Sequence, residues 1–263
     1  MNLNISKLSK FAQHQFAKIT SKPSGLECVF VVGAPRSGTT LIQTRIAAHS
    51  GFASIQRETG FFRPDFYSRG LGKSFSNWGG GLVKNFEAFV KTNADELTFV
   101  EKTPQHVKNL RWLLRYFPNA RVIHVFRDPR DCLASAQTNK NIKHYESPRK
   151  FALYWNSCIK SRFQVAVQHP RVKDISYEQL VSRPSEILAE IMIFLGAGLE
   201  NQQLKNVWDR RASNIAFHRL QQTIDDRSVG QWKKRLALEV AEDTWRVSGR
   251  LYQKALQELV SSS

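Results

Sequence analysis

The segment Gly33-Ala-Pro-Arg-Ser-Gly-Thr-Thr40 keeps the glycine frame of a phosphate-binding loop but carries Thr39 where the lysine of such loops stands. In the usual pattern backbone N–H groups cradle phosphate oxygens, the lysine reaches the β- and γ-phosphates, and the last hydroxyl holds Mg²⁺. A loop that grips one terminal phosphate has no γ-phosphate to hold and can use Arg36 in place of the lysine. The replacement points to a nucleotide that is not a triphosphate. A second group with related chemistry runs Val125-Phe-Arg-Asp-Pro-Arg-Asp-Cys-Leu-Ala-Ser135. Arg127 leaves the end of an apolar run, Asp128 can cap the next helix, Pro129 suits its first turn, and Ser135 lies two turns on. A phosphate there would be held by a charged fork and a hydroxyl. A capping motif with a surface arginine explains the same residues.

Both groups need a scaffold that brings strand ends together. Cys28 to Val32 is a short β-branched and aromatic run, and similar runs at 52–56, 98–101, 121–126 and 172–176 predict four more strands. Helical periodicity fills 39–49, 83–92, 104–117, 129–138, 148–168 and 184–195, with Pro104 and Pro184 at first-turn positions. Alternating strands and helices predict an α/β fold with a mainly parallel sheet covered on both faces. Ligands bind such sheets beyond the carboxyl ends of the strands. The loops after 28–32, 98–101 and 121–126 should therefore converge. Gly70 to Gly81 is the one long irregular stretch and a candidate lid on the acceptor side.

The chain has 263 residues, 41% of them hydrophobic, which suits one large domain with a sizeable core. Its net charge is +17, and between Lys102 and Lys150 eleven Lys/Arg face only three acids. That middle region is either an anion-binding groove or a solvated basic face. Cys28, Cys132 and Cys158 lie far apart, outside metal-ligand spacing, and read as reduced core residues with no disulfide framework and no metal site. Residues 1–24 interleave apolar and basic positions without a continuous apolar stretch. They read as an amphipathic helical extension, neither signal peptide nor membrane anchor, with weak membrane-surface binding as a second reading. A cytoplasmic location is expected. The domain core is expected over about 28–238, followed by a helix at 240–260.

The loop Pro35-Arg-Ser-Gly-Thr-Thr-Leu41 and the segment Arg127-Asp-Pro-Arg-Asp131 with Ser135 together resemble the sulfotransferase superfamily. Ile175-Ser-Tyr-Glu-Gln-Leu-Val181, followed by Pro184 and Phe194-Leu-Gly196, is similar to that family's Tyr-Glu-x-Leu segment, and Ser228-Val-Gly-Gln-Trp232 to its Gly-x-Trp element. The resemblance runs in order from about Cys28 to Trp232. It implies a P-loop-kinase-like three-layer α/β fold and the donor 3′-phosphoadenosine 5′-phosphosulfate, with no metal required. Pro35, Arg36, Ser37, Gly38, Thr39 and Thr40 would bind the 5′-phosphosulfate, and Arg127 and Ser135 the 3′-phosphate. Tyr177 would lie by the adenine, and Gly230 and Trp232 near the 3′-phosphate. Members acting on small phenols and steroids carry Arg-Lys-Gly just ahead of the last element, where this chain has Asp225-Asp-Arg227. Arg227 is the candidate substitute. The segments Glu58-Thr-Gly-Phe-Phe62 and Glu101-Lys-Thr-Pro104 instead look like the branch that sulfates carbohydrates, protein tyrosines or glycolipids.

On this resemblance Glu58 is the expected general base, since the acceptor proton must leave as the O–S bond forms. Glu58 could equally be an acid that starts a helix. Lys102 is the expected cation beside the leaving oxygen, a task Arg36 could share, and its alternative is an exposed lysine paired with Glu101. His106 is a reserve base. The expected acceptor is a carbohydrate or glycolipid, with protein tyrosine or a small-molecule hydroxyl as alternatives. An anionic glycan, lipid headgroup or acidic peptide would suit the charge. Phe61, Phe62, Tyr67, Trp78 and Tyr145 could stack on sugar rings or belong to the core. Readings of another class are a P-loop kinase of small molecules and a basic nucleic-acid-binding protein, although the aromatic residues form no recognisable stacking platform.

Overall fold

The computed structural model describes residues 22–62, 81–138, 147–205 and 224–260. Most of the expected N-terminal helix, the glycine-rich lid as far as residue 80, and Tyr67, Trp78 and Tyr145 lie outside these residues. Five strands form one parallel sheet: β1 (Cys28–Gly33), β2 (Phe52–Ser54), β3 (Thr98–Lys102), β4 (Arg121–Phe126) and β5 (Val172–Ser176), in the order β2-β3-β1-β4-β5. The helices α1 (Thr39–Ala47), α2 (Gly81–Ala94), α3 (Leu110–Tyr116), α4 (Pro129–Gln137) and α5 (Pro148–Arg162) follow one another between strands. After β5 come α6 (Tyr177–Ser182), α7 (Pro184–Phe194), the single turns α8 (Asn201–Leu204) and α9 (Trp232–Arg235), and α10 (Leu238–Ala255) with a terminal π turn at Leu256–Val260.

Strand β1 is buried along its whole length, so both faces of its apolar run are used. Phe30 and Val32 pack with Phe86, Phe99, Val122 and residues of α5 and α10, whereas Val29 and Val31 pack with Ile42 and Ile46 of α1 and Leu188 and Ile191 of α7. The period of two along the strand thus builds two cores, one on each side, and gives the three-layer arrangement expected. Phe61 and Phe62 belong to the first core, edge-on to Phe86 at 5.4 and 5.3 Å. Burial of each ring contributes roughly 1.5–3 kcal/mol. These two aromatics are anchors of the chain after β2 and are not available to stack on a sugar.

Departures from the expected elements have local causes. Strand β2 stops at Ser54 because the Gln43 amide takes the carbonyl of Ile55 and the Ser54 hydroxyl takes the carbonyl of Val100. The expected helix 104–117 begins as a 3₁₀ turn at Pro104–Asn109, in which His106 is held by its side-chain contacts to Glu101 and to the backbone of Phe62. The expected helix 148–168 ends at Arg162, whose guanidinium donates to the carbonyls of Val165, Ala166 and Val167. Six residues are too few for periodicity to reveal α6.

Arg162 also forks onto Asp174 of β5, and Asp174 accepts from His124 Nδ1 of β4 at 2.7 Å, all three being buried. Truncating one member of a buried charge pair leaves the other uncompensated. Asp174→Asn is therefore expected to lower unfolding free energy by about 3–5 kcal/mol, read from denaturant midpoints at unchanged slope. A loss under about 1 kcal/mol, the size of an exposed pair, would show that the cluster does not carry β5.

Candidate active site

Register places the chemistry. Lys102 pairs with Val31, Gly33 with Val125, and Phe126 with Ser176. Lys102, the glycine loop, Arg127 and Tyr177 therefore leave four adjacent strands at the same carboxyl edge, with neighbouring strands about 4.8 Å apart. The sheet order steps outward in both directions from β1, so the loop sits at the switch point where ligands bind such sheets.

The loop conformation depends on its two glycines. At Gly33 (φ 157°) a Cβ would lie 2.1 Å from the carbonyl oxygen of Val125, and at Gly38 (φ 101°) it would lie 2.4 Å from the Tyr177 ring. Arg36 adopts φ 70°, a left-handed conformation that a side chain tolerates only when the surroundings impose it. Its Nε donates to the Ser135 hydroxyl at 3.1 Å, which joins the two sequence motifs across 99 residues. Pro35 is buried, and the Ser37 hydroxyl points inward, donating to the carbonyls of Ala34 and Val125 at 2.7 and 2.8 Å. Ser37 thus offers the loop its backbone, not its hydroxyl. Thr39 and Thr40 open α1 behind Gly38, which caps the helix with no side chain. The N–H groups of that first turn have no intrahelical partner and face the loop.

Arg127 is 6% exposed. One terminal nitrogen donates to the Ser228 carbonyl and lies 3.8 Å from Asp131, and the guanidinium stacks 4.3 Å from the centre of the Tyr177 ring. Its Nε is buried with no hydrogen-bond partner among the described residues. Asp128 caps α4 as expected, accepting from the Arg130 amide at 2.8 Å. Two further carboxylates that sequence reasoning passed over hold this corner. Asp131 accepts from the amides of Gly230 and Trp232 at 2.8 and 2.9 Å. Glu178 accepts from the Asp128 amide and the Ser176 hydroxyl, both at 2.9 Å, and burial raises its pKa above the ordinary carboxylate value. Arg130 lies between the rings of Trp232 and Trp245, 4.1 and 4.0 Å from their centres. The only advance sign of these roles was an acid in the first turn of each of two short helices.

Trp232 consequently presents its ring to Arg130, and Gly230 (φ 71°) turns the chain so that both amides reach Asp131. Arg227 does not join the cluster. Its side chain is 70% exposed and ion-paired to Asp225 at 2.5 Å.

On the other side of the loop, Lys102 Nζ lies 3.4 Å from Glu58 Oε1. Lys102 is 6% exposed and Glu58 39%, so the lysine is buried and the carboxylate reaches solvent. The turn that carries Glu58 is stitched to the end of β3. Thr59 and Thr103 donate to Glu101 at 2.7 and 2.6 Å, the Gly60 amide donates to Thr103, the Phe62 amide donates to His106, and Asn109 donates to the Phe62 carbonyl. His106 is fully buried with both ring nitrogens engaged, which removes it as a reserve base. Cys28, Cys132 and Cys158 are buried core side chains, and burial raises all three thiol pKa values, that of Cys158 to about 12. No helix among the described residues is long and apolar enough to cross a membrane.

The arrangement can hold a phosphate on backbone amides and a second anion beside Arg127, with a carboxylate and an ammonium in contact at the end of the neighbouring strand. A model described as the sulfotransferase family matches residues 28–79 and 81–201. An uncharacterized protein of Aquifex aeolicus is 24% identical over 232 residues, covering 78% of this chain and 30% of its own length. Protein-tyrosine sulfotransferase 1 of Danio rerio is 22% identical over 245 residues, covering 82% of this chain and 68% of its own. Among solved structures, the sulfotransferase domain of the Synechococcus PCC 7002 olefin synthase superposes with TM-score 0.64 at 18% identity, over 88% of this chain and 96% of that one. A mouse sulfotransferase solved with 3′,5′-bisphosphoadenosine superposes with TM-score 0.53 at 14% identity, over 92% and 88%. With the family match covering the loop, Glu58, Lys102, Arg127 and Tyr177, the chain belongs to the sulfotransferase family.

Proposed function

We propose that the chain, acting as a single domain, transfers a sulfuryl group from 3′-phosphoadenosine 5′-phosphosulfate to an acceptor hydroxyl. The observation that carries this reading is the Glu58–Lys102 pair at 3.4 Å, beside a phosphate loop that lacks its lysine. The residues present fit the donor. Gly33 and Gly38 leave the loop backbone free of side chains, and the buried Nε of Arg127 has a donor to give to a 3′-phosphate. Tyr177, lying against Gly38 and under Arg127, would hold both beside the adenine. Ser135 and Arg36, already joined to each other, would complete the grip on the two phosphate ends.

In this reading Glu58 takes the proton of the acceptor hydroxyl as its oxygen bonds to sulfur. The bond from sulfur to the 5′-phosphate oxygen breaks in line with that attack. Lys102 and the loop amides stabilise the charge that appears on the leaving phosphate, an interaction stronger in the transition state than before it. The products are the sulfated acceptor and 3′,5′-bisphosphoadenosine, and Glu58 releases its proton to water. These residues need no metal for that sequence. Two acceptor classes have support: named relatives include a protein-tyrosine sulfotransferase, and the segments around Glu58 and Lys102 look like the branch that also acts on carbohydrates and glycolipids. The net charge of +17 favours an acidic example of either. Three unpaired buried thiols favour a reducing compartment, and action in the cytoplasm is part of the proposal.

Labelled donor offered to acidic tyrosine peptides, glycans, glycolipids and phenols should mark one class, and absence of transfer to all of them would argue against the reading. Glu58→Gln should reduce turnover by about 10²–10⁴-fold with little change in affinity for 3′,5′-bisphosphoadenosine. Turnover near that of the parent would remove Glu58 as the base. Arg127→Ala should weaken binding of the same nucleotide by about 2–5 kcal/mol in calorimetric titration, and unchanged affinity would place Arg127 outside the site.

A further inference from the structure

Three consecutive amides after Glu58 end, through three different side chains, on a single carboxylate. We infer that Glu101 is a positioning residue, which through Thr59, Thr103 and His106 fixes the turn bearing Glu58 against Lys102. This rests on the roles given above to Glu58 and Lys102.

The direction of each hydrogen bond is determined. A backbone N–H only donates, so the Gly60 amide, 3.0 Å from Thr103 Oγ1, makes that hydroxyl an acceptor there and leaves its proton for Glu101 Oε1 at 2.6 Å. The Phe61 amide stands in the same relation to Thr59 at 3.4 Å, and Thr59 donates to the same oxygen at 2.7 Å. The Phe62 amide donates to His106 Nε2 at 3.2 Å, which requires a lone pair on that nitrogen. The ring is therefore neutral with its proton on Nδ1, 3.0 Å from Glu101 Oε2. All four side chains are buried, so water does not replace a lost link.

Glu101 is adjacent in sequence to Lys102, and Thr59 to Glu58. The carboxylate thus fixes both ends of the Glu58–Lys102 contact without touching either charged group's terminus. Only an ionised carboxylate serves, because it must accept three hydrogen bonds and donate none. Glutamine would keep the two threonine links but turn an N–H toward His106 Nδ1. The ring proton would then have to move to Nε2, where it would face the Phe62 amide, two donors opposed.

The test is nitrogen NMR of His106 with amide hydrogen exchange on the whole chain. The parent protein should show a neutral ring protonated on Nδ1, and Glu101→Gln should displace that proton. The same variant should speed exchange at Phe62 by about tenfold or more, the loss of one hydrogen bond, with glycine-loop exchange unchanged. Turnover, read as release of 3′,5′-bisphosphoadenosine from the donor, should fall while affinity for that nucleotide stays constant. Should Glu101→Gln fail to fold, Thr103→Val removes the Thr103 arm, both its bond from Gly60 and its bond to Glu101, and should lower turnover and the protection of Gly60 while leaving that of Phe62. A His106 ring protonated on Nε2 or on both nitrogens in the parent would overturn the inference. So would a folded variant whose turnover is unchanged. Glu58→Gln leaves the relay intact, so full turnover in that variant with a normal His106 signature would refute the base and not the relay.

Discussion

Parallel pairing of β1 between β3 and β4 is the constraint on which the rest depends. It is made by an apolar run buried on both faces, and its register alone brings Lys102, Gly33 and Arg127 to one edge from positions far apart in the chain. A one-residue slip of β3 would turn Lys102 to the opposite face and bury its charge in an apolar core. Hydrophobic packing on the two faces therefore fixes the register that places the site.

On that edge polar groups are arranged in two clusters, one on each side of the glycine loop. Arg127, Asp131, Glu178 and Tyr177 tie β4, β5 and the chain around Gly230 together. Glu101 and its partners tie the turn after β2 to the end of β3. The first cluster is built around the Arg127 and Arg130 guanidiniums, and the second around a buried carboxylate that anchors the turn bearing Glu58. In the proposed reaction, binding and proton transfer thus have separate supports.

Much of this was legible in the sequence because it is local. Strand runs, the glycine frame, the cap at Asp128 and the edge positions of Glu58 and Lys102 each follow from residues a few places apart. What escaped notice is non-local. Asp131 stands in the first turn of α4, and its grip on two amides 99 and 101 residues away depends on how residues 224–232 return to that helix. That same return leaves Arg227 paired with Asp225 at the surface, so its place in the sequence order gave no guide to its place in space. Glu101 did leave a sign, a carboxylate inside the otherwise apolar run Phe99-Val-Glu. Its partners, Thr59 and His106, lie on either side of it in the chain, and only the fold brings them together.

The central claim is that the loop without a lysine is built for a nucleotide with a 5′-phosphosulfate and a 3′-phosphate. Calorimetric titration of the intact chain with 3′,5′-bisphosphoadenosine and with ATP, each with and without Mg²⁺, tests it most directly. The account predicts saturable binding of the bisphosphate independent of Mg²⁺ and markedly weaker binding of ATP. Tight Mg²⁺-dependent ATP binding with none of the bisphosphate would contradict it.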